Sequence, residues 1–200
     1  MRKVDEEKIR QKRLHIIRSA MRCFSRQGLL AASLNDIAKE AKMSAGLLYY
    51  YFKSKDLIIE AAFEYTTDET IDLIEHMLDR RNFVDAVLSV SEDAARERAE
   101  LQISPGLHLE FNAEGARNPV IRELLQRRIG AVAKALAAAV DRAIAAGQVA
   151  PNVDKKTLVD GISLLWTGLA TMRADPKLDV SRYQAAMREV LTTWTSANRQ

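Results

Sequence analysis

The densest grouping of groups able to do chemistry lies at Ser44, Ala45, Gly46, Leu47, Tyr49, Tyr50, Tyr51 and Lys55, with Ser33 a short way upstream. Hydroxyls, phenols and an ammonium suit phosphate oxygens when they sit beside the open amides of helix N-termini. Gly46 allows a backbone to approach a ligand closely. None of these side chains is a nucleophile paired with a base. The three histidines, His15, His76 and His108, have no Glu three residues earlier, as a helical dimetal site requires. His-Glu-x-x-His, Gly-x-Ser-x-Gly and P-loop sequences are also missing. The expectation is binding rather than catalysis, with no cofactor and no metal.

Charge points the same way. Residues 1–60 hold 13 Lys/Arg against 7 Asp/Glu, a balance of +6, whereas residues 61–200 hold 17 against 20, a balance of −3. A basic head on a mildly acidic body suggests that the head meets a polyanion. The bland alternative is a chance clustering of solvated helix faces. The single cysteine, Cys23, excludes a disulfide framework and a Cys-based zinc site, which suits a reducing cytosol. The longest apolar candidate, 161–172, is a dozen residues, short of the roughly 18 needed to cross a bilayer. The charged N-terminus leads into no secretory apolar core. Membrane and secreted classes are excluded, and the expected compartment is the cytoplasm.

Helices must carry these residues. Helical periodicity covers most of the chain, with strand signals nearly absent. Helices are predicted near 5–27, 34–41, 45–51, 55–80, 83–101, 105–117, 119–146, 155–174 and 181–197, an all-α fold of about nine elements. In the first, Ile9, Ile17, Ala20, Met21 and Phe24 share one face and Gly28 is the stop. Gly147 closes the seventh, Asp154 caps the eighth, and the prolines at 105, 119, 151 and 176 mark helix starts or turns. Ser33 followed by Asp36 has the form of a capping box, Ser44 caps the next short helix, and Ser54 the one after. Ile37, Ala38, Ala41, Leu48 and Phe52 supply short apolar faces. Helices of about two turns are not stable alone, so helix 1 must cover them. The result is a helix-turn-helix whose second member is sized for a major groove about 12 Å wide.

Residues 9–58 resemble the N-terminal domain of the TetR family of one-component transcriptional regulators. The matching positions run from the helix 1 face ending at Phe24 and Gly28, through Ser33, Asp36, Ile37, Ala38 and Ala41, to the continuous stretch from Ser44 to Leu57. The resemblance implies DNA contact by Ser33, Ser44, Ala45, Gly46, Leu47, Tyr49, Tyr50, Tyr51 and Lys55. It implies a helix-turn-helix domain over 1–54 and a helical effector-binding and dimerising domain over 55–200. The segment from Glu110 to Pro119 is similar to a body subtype of multidrug- or metabolite-responsive members. Two positions depart from the pattern: Lys42 stands where glycine is usual in the turn, and Tyr51 where histidine is usual. A non-glycine residue in a left-handed turn costs on the order of 1 kcal/mol. Because the recognition helix lacks Arg, Asn and Gln, sequence discrimination is expected from methyl contacts, tyrosine hydroxyls and DNA shape, with help from Lys39, Arg2 or Lys3.

In the body, Leu158, Ile162, Leu165 and Leu169 on helix 8 and Tyr183, Met187, Val190 and Trp194 on helix 9 form stripes. They suit either intramolecular burial or a two-fold four-helix interface, with Gly161 and Gly168 allowing close approach. Phe63, Met77, Phe83, Leu107, Phe111 and Trp166 are candidate walls of an effector pocket. Glu110 and Glu114 are candidate polar contacts, with an Arg117 ion pair the simpler use of Glu114. The functional expectation is a homodimeric repressor that binds double-stranded DNA at a palindromic operator and is released by a small-molecule effector. An enzyme and a dimeric adaptor with an idle head are the competing classes. A steep loss of DNA affinity with salt separates them.

Overall fold

The computed structural model describes residues 2–79 and 81–196, with side chains from residue 6 onward. Arg80, Ala197 and the side chains of Arg2 and Lys3 lie outside it. Among the described residues there are nine helices: α1 (Arg2–Gln27), α2 (Leu34–Glu40), α3 (Ala45–Tyr51), α4 (Lys55–His76), α5 (Phe83–Glu100), α6 (Gly106–Gly115), α7 (Pro119–Ala145), α8 (Lys155–Met172) and α9 (Val180–Thr195). Most ends fall within two residues of those predicted; α4 stops earlier and α1 begins earlier.

The chain forms two compact units, one of residues 1–66 with 98–124, the other of 67–97 with 125–200. The expected boundary was at 54/55; by packing, the first part of α4, all of α6 and the opening of α7 group with the helix-turn-helix. In this first unit Ile16, Ile17, Ala20, Met21 and Phe24 of α1 are buried with Ile37, Ala38, Ala41, Leu48, Phe52 and Ile58. Ile9, expected on that face, is exposed, because the apolar stripe of α1 begins only at Ile16.

Turns follow backbone chemistry. Gly28 ends α1 at φ 91°, and Lys42 takes φ 53° after α2. Lys42 donates its amide to Lys39 O and Met43 to Ala38 O, the paired closure that a left-handed residue permits. The tolerated departure from glycine is thus real strain, retained in the turn that aims α3. Gln102 closes α5 in the same way at φ 57°, with Ile103 N–H bonded to Arg98 O; no residue type announced it.

In the second unit, Leu136, Ala139, Val140 and Ala143 line one face of α7 and pack with Leu158, Ile162 and Leu169 of α8 and Met187 and Leu191 of α9. The Trp194 ring occupies the space that a Cβ on Gly161 would need, so this glycine seats an aromatic ring within the protomer. Gly168, by contrast, faces open space.

Candidate nucleic-acid interface

Ser33 caps α2: its Oγ accepts the Asp36 amide at 3.2 Å, and Asp36 Oδ2 accepts the Ser33 amide at 3.0 Å. The Ser33 hydroxyl also donates to Asp36 Oδ2. These bonds hold the Asp36 carboxyl below its usual range, the Ser33 hydroxyl being the main cause. Ser44 Oγ accepts the Leu47 amide at 3.2 Å and starts α3. That start fixes the helix phase. Leu48 and Phe52 then point inward, fully buried, while Ala45, Gly46, Leu47, Tyr49 and Tyr50 are exposed, Tyr50 at 66%. Tyr51 is half-buried, with its ring edge-to-face against Tyr50 at 5.1 Å. A Cβ on Gly46 would meet nothing within 4 Å, so nothing inside the protein demands glycine there.

Much of the basic charge in residues 1–60 is committed internally. Arg13 donates to Tyr51 O at 2.8 Å and stacks over Phe52 at 4.1 Å, capping the C-terminal end of α3 with a cation. His15 Nε2 donates to Ala41 O at 2.9 Å at the end of α2, which assigns the proton to that nitrogen because a carbonyl only accepts. Arg22 and Arg26 pair with Glu40 at 2.6 and 2.5 Å and hold its carboxyl below the ordinary range, Arg22 contributing most. Arg18 donates to Tyr65 Oη at 2.8 Å. Arg13, Arg22, Arg26 and His15 thus hang the two short helices on α1, and Arg18 ties α1 to α4. Regional charge counting hides this use, because the partners lie 14 to 47 residues further along the chain.

Lys55 has a similar duty. Its Nζ donates to Leu30 O at 2.8 Å and Ala32 O at 2.9 Å, and burial lowers its pKa from the ordinary amine value. It therefore clamps the α1–α2 loop. One of the three ammonium hydrogens remains for another acceptor. The loop is held from α6 as well, where the Glu110 carboxylate accepts the Leu29 amide at 2.7 Å.

A family profile described as "Bacterial regulatory proteins, tetR family" matches residues 16–62. The HTH-type transcriptional regulator UidR of Escherichia coli K12 is 27% identical over 146 residues, 71% of each chain. The structure of Salmonella enterica GusR superposes with a TM-score of 0.77 at 28% identity, covering 92% of this chain and 95% of the other. Bacillus subtilis FadR, solved in complex with stearoyl-CoA, shares the fold at TM-score 0.73 and 19% identity, over 89% of this chain and 96% of that one. Residues 16–62 carry the TetR-family helix-turn-helix domain, and UidR and FadR, which the chain resembles over most of its length, are transcriptional regulators.

The residues expected to hold an effector divide between the units. Phe63, Leu107, Glu110, Phe111 and Glu114 fall in the first, where the Phe63 and Phe111 rings lie 4.4 Å apart. Glu110 is engaged with Leu29 rather than with a cavity. No ion pair joins Glu114 to Arg117 among the described residues. Met77, Phe83 and Trp166 fall in the second unit; Met77 and Phe83 are core, and Trp166 Nε1 donates to Val87 O at 2.9 Å.

The residues expected at a dimer interface differ in burial. Leu158, Ile162, Leu169 and Met187 are buried inside the protomer, with Leu165, Tyr183 and Trp194 packed against the same cluster and Val190 half-buried. The four buried side chains are covered within the protomer by α7 and α9, while the half-buried four keep part of their surface. The exposed face of α8 is instead Leu164, 73% exposed, with Thr167, Gly168 and Thr171 at helical spacing. No described helix is long and apolar enough to cross a membrane, and no described cluster of His, Cys, Asp or Glu could hold a metal.

Proposed function

We propose that this protein is a homodimeric repressor of the TetR family that binds a palindromic operator in the cytoplasm and is released by a small organic effector. The observation that carries the reading is α3: a helix started by Ser44, anchored by buried Leu48 and by Arg13, whose outer face of Ala45, Gly46, Leu47, Tyr49 and Tyr50 is exposed. In this reading Ser33, Ser44, Tyr49 and the remaining Lys55 hydrogen meet phosphates, while Ala45 and Leu47 touch thymine methyls and Tyr50 and Tyr51 add hydroxyl contacts.

A single two-turn reading helix makes few contacts, so two copies on a symmetric site are needed for useful affinity. The exposed stripe Leu164, Thr167, Gly168 and Thr171 is the face of α8 left for that pairing. Helix α4 runs unbroken from Lys55 to His76 and carries chain from the first unit into the second. An effector that tilts α4 changes the separation of the two reading helices. Half-sites on one DNA face recur about every 34–36 Å, so only one separation engages both. Driving the population from 1:99 to 99:1 takes about 5.5 kcal/mol of differential ligand affinity, a load two bound effectors can share. A protein of the same fold holds stearoyl-CoA, consistent with an organic effector.

The direct test is selection of bound fragments from the source genome, followed by footprinting. The expected result is an inverted repeat protected in two adjacent major grooves. Failure to retain any genomic duplex at about 50 mM salt, where phosphate contacts are strongest, overturns the reading.

A further inference from the structure

Of the thirteen Lys and Arg side chains in residues 1–60, those of Arg13, Arg18, Arg22, Arg26 and Lys55 are bonded within the first unit, and Arg10 is paired with Glu7 at 2.8 Å. Among the described residues Lys8 and Lys12 make no hydrogen bond and no ion pair, and both are exposed. They stand one turn apart on α1, about 6 Å along its axis. They are also not scattered: with Gln11 and His15 they form one wall of an open groove whose other wall is Tyr50 and Tyr51 of α3. His15 is fixed there by its bond to Ala41 O, and Tyr51 by its backbone bond to Arg13, so both walls are held rigidly.

We infer that this groove is a second DNA-backbone site, in which Lys8 and Lys12 hold successive phosphates of the strand flanking the bases read by α3. Two unpaired ammonium groups fit a polyanionic strand. The tyrosine wall fits it too, since a phenol donates to phosphate oxygen. The groove is too open to enclose a small ligand, and its charge is of one sign. A surface kept this way costs little in the free protein and releases counterions when filled. Phosphate contact positions the protein without reading sequence, so the groove widens the footprint and leaves the base preference to α3.

This inference rests on the DNA-binding reading, and its test separates the two. The probe is a labelled mixed-sequence duplex of roughly 30 base pairs, long enough for two half-sites one turn apart. Its affinity is measured between about 50 and 200 mM salt. Replacing both residues (Lys8→Gln with Lys12→Gln) should reduce the salt slope by about 1.8 for each bound head, so the fourfold rise in salt costs the variant about twelvefold less affinity per head than wild type. The double arginine variant should keep the wild-type slope, and Lys134→Gln on α7 should leave it unchanged. Footprinted sequence preference should also be unchanged. A wild-type slope in the double glutamine variant, or an equal effect per charge from Lys134→Gln, overturns the groove while the DNA reading stands. No binding by the wild-type protein at 50 mM salt overturns both.

Discussion

In α3, Leu48 is buried while its sequence neighbours Leu47 and Tyr49 are exposed; in α8, Leu158, Ile162 and Leu169 are buried and Leu164 is exposed. Both helices have an apolar stripe and an apolar residue left outside, but the two exteriors differ in origin. The α3 exterior begins at Ser44, so capping sets which residues face out. Nothing inside the protein demands its glycine, and Tyr49 and Tyr50 stay exposed. The α8 exterior is what remains after α7 and α9 have covered the rest. A stripe therefore identifies a buried face without saying whether the covering surface belongs to the same protomer or to another.

Several substitutions break or sharpen this contrast. The largest effect is expected from Ile162→Ala. If the α8 stripe is intramolecular core, it costs about 2–5 kcal/mol in urea unfolding, independent of protein concentration. A concentration-dependent loss would return Ile162 to an interface. Leu164→Arg should behave oppositely: unfolding of the isolated protomer changes by about 0.5 kcal/mol or less, while sedimentation shifts from dimer to monomer. A dimer that survives the arginine moves the interface off this face.

On α3, Gly46→Ala should leave stability equal or higher by up to about 1 kcal/mol, since helix propensity improves and a Cβ meets nothing. The same change should weaken DNA binding in a titration. Unchanged affinity would mean that the duplex does not approach this backbone. Lys42→Gly relieves the left-handed turn and should raise the denaturation midpoint by up to about 1 kcal/mol equivalent.

The smallest effect concerns pH. Glu40 has a folded pKa below its ordinary 4.5, so its ion pairs with Arg22 and Arg26 contribute stability above that pH. The contribution is lost as pH falls through the lower, folded value. Glu40→Gln should therefore flatten the acid limb of the stability curve below about pH 4.5 and leave its shape near neutrality unchanged. A parallel acid limb in both proteins would place the loss elsewhere.

Much of this was legible from residue order alone. Ser33 with Asp36, Ser44, Gly28, the prolines and the inward pair Leu48 and Phe52 are local signals, each acting within a few residues of itself, and the helices follow them closely. Even the strained Lys42 turn was implied, though only by the resemblance to a family in which glycine is usual at that position. What could not be read depends on contacts far apart in sequence. Arg13, Arg22, Arg26 and Lys55 look like free cations until their partners at Tyr51, Glu40, Leu30 and Ala32 are known. Glu110 looks like a ligand contact until it meets Leu29.

Residue order thus determined the helices, their caps and the outward face of α3, since backbone hydrogen bonding and 3.6-residue periodicity are local. Tertiary structure alone decided which charges are consumed inside the protein and which face of α8 is left open. Charge pairing and burial depend on what packs alongside, and no local pattern encodes the neighbour.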